Sequence, residues 1–127
     1  MMRKLLAALA GFLFAGQVSG QQVQNVEVSQ FKIYMETYQN YYLIDVRTPQ
    51  EYAGGKIPGA INLNVNNPNF QEKLAELDPS RPVLVYCHAG GRSARAGRIM
   101  TNYGFTEVFN LQGGITQWRS AGEQIEK

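Results

Sequence analysis

The stretch Val83-Leu84-Val85-Tyr86-Cys87-His88-Ala89-Gly90-Gly91-Arg92 decides the fold. Val83 to Tyr86 is a continuous apolar run, entered from the breaker Asp78-Pro79-Ser80-Arg81-Pro82. A run of that length with no polar alternation predicts a central strand buried on both faces, as a parallel sheet demands. Cys87 to Arg92 is a glycine-containing loop, and Ser93 to Asn102 predicts a helix with Ile99 and Met100 on its buried side. Strand, short loop and helix in that order make the first half of a parallel crossover unit.

The same alternation extends in both directions. Upstream, Phe31, Tyr34, Met35 and Tyr38 recur at helical spacing and mark a core-facing stripe, with Asn40 as its stop. Tyr41 to Val46 reads as a buried strand. Thr48-Pro49-Gln50-Glu51 combines a capping box with proline at the first helical position, so a short helix starts there and ends at Gly54-Gly55. Pro58-Gly59 turns the chain into a strand over Ala60 to Leu63. Asn67-Pro68 opens a helix carrying Phe70, Leu74 and Leu77 on one side. Downstream, Val108 to Leu111 is a strand, Gly113-Gly114 a turn and Ile115 to Ser120 a last helix. Alternating strands and helices predict an α/β domain built on a mainly parallel sheet. Ligands of such sheets sit beyond the carboxyl ends of the strands, where Asp45 and Cys87 fall.

Cys87 is the only cysteine, so no intramolecular disulfide and no cysteine-rich metal site can form. Its position gives it a chemical use. The first N–H groups of the following helix point back toward the sulfur, and their partial positive charge favours a thiolate. Gly90 and Gly91 lack a Cβ and can take positive φ, which lets backbone N–H groups converge on an anion. The competing reading is an ordinary strand-to-helix turn whose cysteine packs in the core. Arg92 weighs against it. A cation at a helix N-terminus opposes the helix dipole by about 0.3–1 kcal/mol, a cost that makes sense where an anion is bound. Arg95 and Arg98 continue at the same spacing and read as a solvated stripe. His88, the single histidine, is adjacent to Cys87 in a tight loop; neighbours there point apart, so it is expected to line the mouth and not to act as general base. Cys87 and His88 have no partners for a metal.

Twelve basic and ten acidic residues in 127 leave +2, and Arg3 and Lys4 account for that excess. A neutral remainder gives no electrostatic reason to expect nucleic acid or an anionic membrane as partner. Met1-Met2-Arg3-Lys4, the apolar run Leu5 to Gly16 and the small residues Val18-Ser19-Gly20 follow the pattern of a secretory signal peptide. An apolar run of that length rises only about 18 Å against a hydrocarbon core of roughly 30 Å, so a membrane span is not expected. The expected organisation is a signal peptide over residues 1–20, cleaved near Gly20, and one domain over 21–127 in the periplasm or outside the cell.

At this point the residues resemble a known family. Leu43-Ile44-Asp45-Val46-Arg47-Thr48-Pro49-Gln50-Glu51-Tyr52 is similar to the motif at the second strand of rhodanese domains, and Lys56-Ile57-Pro58-Gly59-Ala60 to its continuation. Val83 to Arg92 resembles the rhodanese active-site loop, and Leu111-Gln112-Gly113-Gly114 with Trp118 the C-terminal signature. The resemblance runs from about Val26 to Gly122. It implies a parallel five-stranded sheet with helices on both faces and a thiosulfate sulfurtransferase that uses no cofactor. It further implies Cys87 as nucleophile, thiosulfate as the anionic sulfur donor, and cyanide, a thiol or a protein thiol as acceptor. A persulfide on Cys87 would be held by the N–H groups of His88, Ala89, Gly90, Gly91, Arg92 and Ser93, and Arg92 would orient the thiosulfate oxygens. Lys56 stands where the family often has histidine and is expected to add a cation for anion capture. Asp45 and Arg47 match positions that look structural: Asp45 is expected to accept loop or backbone hydrogen bonds, Arg47 to pair with Glu51. Trp118 is expected in the core.

Relatives of the fold include phosphatases and arsenate reductases, whose loops place five residues between cysteine and arginine. Here four residues separate Cys87 from Arg92. The shorter loop makes a smaller cradle, better suited to sulfur than to phosphate. A persulfide carrier docked to one partner protein needs the same Cys87 and stays open as an alternative; an inactive module is disfavoured by the intact cysteine.

Overall fold

A computed structural model describes residues 22–127, so the signal peptide over 1–20 and the domain start at Gln21 lie outside the described residues. In chain order the elements are β1 (Val23–Val26), α1 (Val28–Thr37), β2 (Tyr42–Asp45), α2 (Pro49–Ala53), β3 (Ile61–Asn62), α3 (Phe70–Leu74), β4 (Val83–Tyr86), α4 (Gly91–Asn102), β5 (Val108–Leu111) and α5 (Gly114–Ser120). The five strands form one sheet in the order β1-β5-β4-β2-β3, with every pair parallel.

The apolar run of β4 takes the middle of the sheet, and all four of its residues are fully buried. Their alternation splits the core in two. Val83 and Val85 pack with Ile44, Val108, Phe70, Leu74, Ala96 and Met100 under α3 and α4. Leu84 and Tyr86 pack with Phe31, Phe109, Leu111, Ile115 and Trp118 under α1 and α5. Trp118 meets Phe31 edge to face and donates its indole N–H to the Gln124 carbonyl at 2.8 Å. Burying each such side chain stabilises the fold by about 1.5–3 kcal/mol. Among the described residues no helix is long and apolar enough to cross a membrane.

Four elements differ most from the sequence reading, while β2 is shorter by one residue at each end and α5 longer by one at its start. β1 was not legible: Val23-Gln24-Asn25-Val26 has no apolar run and becomes a strand because β5 supplies its ladder, Val23 opposite Val108 through Val26 opposite Leu111. α4 starts at Gly91 and not at Ser93, because Gly90 takes φ +115° and serves as the N-cap. α3 ends at Leu74, leaving Leu77 packed from the turn beyond it. β3 shrinks to Ile61–Asn62, the only part in register with β2.

The topology places the site. From β4 the chain crosses toward β5 over the α4 face; from β2 it crosses toward β3 over the opposite face. β4 and β2 are neighbours. The crevice between their carboxyl ends is therefore the switch point where doubly wound sheets bind ligands. Cys87 follows β4 at one side of it, and Arg47 to Glu51 follow β2 at the other.

Candidate active site

Cys87 is 1% exposed and closes the top of β4. Its Sγ accepts the Gly90 N–H at 3.0 Å and faces the Ser93 hydroxyl at 3.3 Å. The Ser93 proton has a second acceptor, the Gly90 carbonyl at 3.1 Å. A charged sulfur is the stronger acceptor of the two, so ionisation of Cys87 draws the proton to itself. Burial pushes the thiol up, but the Ser93 hydroxyl and the N–H groups of Ser93, Gly90 and Ala89 outweigh it and hold the thiol below its ordinary value. The sulfur is thus a buried thiolate seat made of backbone donors and one hydroxyl.

Two glycines make this geometry possible. Gly90 at φ +115° turns its N–H back onto the sulfur, a conformation a side chain would strain. Gly114, at φ +60°, starts α5 directly beneath the loop; a Cβ there would lie 2.5 Å from the carbonyl oxygens of both Cys87 and His88. Ile115 N–H and Thr116 N–H donate to those two carbonyls at 2.9 and 3.1 Å, so α5 fixes the loop from below. Gly91 takes no such conformation and is simply the first residue of α4.

His88 and Ala89 are exposed at the tip. The His88 ring lies 3.5 Å from the Thr116 hydroxyl and makes no hydrogen bond with Cys87. Asn110 sits 3% exposed on β5; its amide donates to Asn25 Oδ1 at 2.9 Å and, at 3.5 Å, to the Gly90 carbonyl. A lone polar residue within the apolar strand Val108–Leu111 is the sequence signal for it.

The cations differ most from expectation. Arg47 does not pair with Glu51. Its guanidinium binds Asp45, Nε at 2.9 and 3.1 Å and Nη2 at 2.7 Å, and also donates to the Gly55 carbonyl at 2.7 Å. The pair is buried, Asp45 wholly and Arg47 to 4% exposure. Arg47 precedes the N-cap Thr48, so it lies off the helix on which Glu51 would be its i+4 neighbour. Asp45 also accepts the Arg47 N–H at 3.0 Å. Glu51 instead crosses the crevice and binds Arg92 end to end, Nη1 to Oε1 at 2.8 Å and Nη2 to Oε2 at 3.0 Å. The Arg92 bonds, against a smaller opposing effect of burial, hold the Glu51 carboxyl down at about 2, helped by Thr48. Arg92 therefore presents an ion pair to the site and not a free guanidinium. Lys56 is turned away: its ammonium lies over the Tyr52 ring and reaches the Lys127 carbonyl, and its backbone bridges to Glu126. No hydrogen bond joins it to the loop. Among the described residues no cluster of three His, Cys, Asp or Glu side chains is placed to hold a metal.

Comparisons with known proteins bear on the family and the fold. The family model described as Rhodanese-like domain matches residues 27–121. A sulfurtransferase of Allochromatium vinosum is 37% identical over 83 residues, covering 65% of this chain and 76% of that protein. A thiosulfate sulfurtransferase GlpE of Shewanella oneidensis is 32% identical over 89 residues, covering 70% of this chain and 86% of that protein. Among solved structures, a rhodanese-related protein of Thermoplasma volcanium superposes with a TM-score of 0.70 at 26% identity, over 81% of this chain and 97% of that one.

Proposed function

The chain belongs to the rhodanese-like domain family, and on that premise we propose that it is a sulfurtransferase that carries sulfane sulfur as a persulfide on Cys87, accepting it from thiosulfate and passing it to cyanide or a thiol. One observation carries the reading: the Cys87 sulfur is buried at a strand end, with Gly90 N–H and the Ser93 hydroxyl aimed at it. A structural cysteine needs no such donors, whereas a sulfur that must bear negative charge does.

The Cys87 thiolate attacks the outer sulfur of thiosulfate. The new Sγ–S bond forms as the old S–S bond breaks, and sulfite leaves with the electron pair. Cyanide then attacks the outer sulfur of the persulfide, thiocyanate departs, and the Cys87 thiolate returns to its donors. No external oxidant or reductant enters, and covalent storage splits one transfer into two. The exposed tip at His88 and Ala89 leaves the loop open to small donors and to a protein thiol.

The test is thiocyanate production from thiosulfate and cyanide by residues 21–127, with Cys87→Ser in parallel. Turnover in the wild type and none in the variant supports the reading; a folded, reduced wild type that gains no sulfur from thiosulfate sinks it. We further propose export, on the basic, apolar and small-residue succession of residues 1–20. The mature N-terminus of protein recovered from a periplasmic fraction checks it, with an uncleaved Met1 as the contrary result.

A further inference from the structure

The sequence places three cations near the loop, Arg92 and Lys56 for anion capture and Arg47 in a structural role, and the structure leaves none of them free. Arg47 is locked in the buried pair with Asp45. Lys56 lies over Tyr52, toward the end of the chain. Arg92 is bound through both terminal nitrogens by Glu51, on side chains only 28% and 33% exposed. Further along α4, Arg95 binds the Asn66 side chain, and Arg98 lines a cavity with Val23 and Asn25 at the β1 edge of the sheet. The positive potential at the sulfur therefore comes from backbone N–H groups and the start of α4, with Arg92 cancelled by a carboxylate.

That balance bears on the donor. When a thiolate attacks thiosulfate, an anion meets a dianion, and the transition state gathers both charges in one small, dry volume. When it attacks a neutral organic persulfide, R–S–SH, no charge is added. The Sγ–S bond forms, the donor's S–S bond breaks, and the thiolate R–S⁻ leaves with the electron pair while Cys87 keeps the sulfane sulfur and its proton. A pocket that neutralises its own arginine gives up attraction for the first donor and loses little for the second. Glu51 is well placed to impose this. Its Oε1 also accepts from the Thr48 N–H and hydroxyl at 3.0 and 3.1 Å, so the capping box of α2 holds the carboxylate at the crevice.

Building on the sulfurtransferase reading, we infer that Glu51 is a specificity-determining residue: by pairing with Arg92 it shifts donor preference from dianions such as thiosulfate toward sulfane donors of lower charge, organic persulfides foremost. The experiment measures kcat/KM for thiosulfate and for the persulfide of 2-mercaptoethanol, generated in situ, with cyanide as acceptor. Wild type, Glu51→Gln and Arg92→Gln form a ladder of rising and falling site charge. The thiosulfate-to-persulfide ratio is internal to each preparation, so partial loss of folded protein cancels. It should rise about tenfold in Glu51→Gln and fall about tenfold in Arg92→Gln. If Glu51→Gln does not fold, the fall in Arg92→Gln decides alone. A ratio within about twofold of wild type in the folded variants, or one that moves the opposite way, overturns the inference while sulfur transfer stands. A wild type whose mass shows no added sulfur with either donor overturns sulfur transfer itself.

Discussion

Replacing Asp45 with Asn should cost this domain more than any other single polar change at the crevice. The carboxylate is wholly buried and takes three short bonds from a guanidinium that is itself 4% exposed. An asparagine keeps the shape and still accepts the Arg47 N–H, but it leaves a full positive charge in the interior with only the Gly55 carbonyl as a strong partner. Removing one member of such a pair costs about 3–5 kcal/mol. A domain of this length has roughly 5–15 kcal/mol of stability, so the loss is a large share of the total. At about 3 kcal/mol the melting temperature should drop by roughly 15 °C. Arg47→Met should cost a similar amount by stranding the carboxylate. The double variant should be less damaged than the sum of the singles, by about 1.5 kcal/mol or more, because it removes both charges together. Urea unfolding of the four proteins at neutral pH measures the cycle. An additive cycle, or an Asp45→Asn cost below about 1 kcal/mol, would refute the claim that the pair is held as a unit in the dry interior.

Other outcomes follow from the same geometry. Ser93→Ala removes the hydroxyl that helps hold the Cys87 thiol below its ordinary value; the pH profile of its alkylation by iodoacetamide should move to higher pH, and an unmoved profile would assign the effect to the backbone alone. Gly114→Ala drives a Cβ against the Cys87 and His88 carbonyls; unfolding should show a loss of about 3 kcal/mol, with slower persulfide formation in the folded fraction. Glu51 has its carboxyl lowered on folding from 4.5 to about 2, so it binds its proton more weakly in the folded state than in the unfolded one. The stability it contributes is full above the unfolded value and is lost as pH falls through the folded one. The difference between wild type and Glu51→Gln in urea should therefore be constant above pH 5 and shrink between 4.5 and about 2; a difference that changes near neutrality would contradict the ion pair with Arg92.

The parts of the fold legible in the sequence are those written in short-range pattern. Val83 to Tyr86 carries its burial in its composition, and Thr48-Pro49-Gln50-Glu51 its helix start in its spacing. β1 carries neither, because its ladder partner β5 lies more than eighty residues away. The same limit applied to charge. Arg47 and Glu51 stand at the spacing of a helical ion pair, but Arg47 lies before the helix begins, and a strand-end aspartate two residues back lies within bidentate reach. Glu51 then found a partner 41 positions onward, a contact that only the juxtaposition of β2 and β4 creates. The loop that seats the sulfur was readable from its glycines and cysteine. The device that fixes it, Gly114 with Ile115 and Thr116 under the loop carbonyls, was not, since it depends on where α5 docks.

The source of positive potential decides how this site can change. Side-chain cations can be added or removed one substitution at a time, and here the nearest, Arg92, is already balanced by Glu51. The donors on Cys87 are mostly amides: Gly90 at φ +115° turns its own N–H onto the sulfur, and α5 holds the His88 carbonyl, which lies across one peptide unit from the Ala89 N–H. A peptide group that gives its carbonyl to α5 has its N–H fixed as well, because the unit is planar. Holding the Cys87 and His88 carbonyls therefore constrains the His88 and Ala89 N–H groups, and holding the Gly90 carbonyl, through Ser93, Ala94 and Asn110, constrains that of Gly91. Such donors need no reorganisation when sulfur arrives or leaves, which is the condition under which electrostatic stabilisation is largest. Thiolate stability thus rests on backbone amides and the Ser93 hydroxyl, while on the inference drawn above donor choice falls to a replaceable pair of side chains at the rim. The two can vary independently: substitutions at Glu51 and Arg92 should retune which sulfur compound is used without dismantling the seat that holds it.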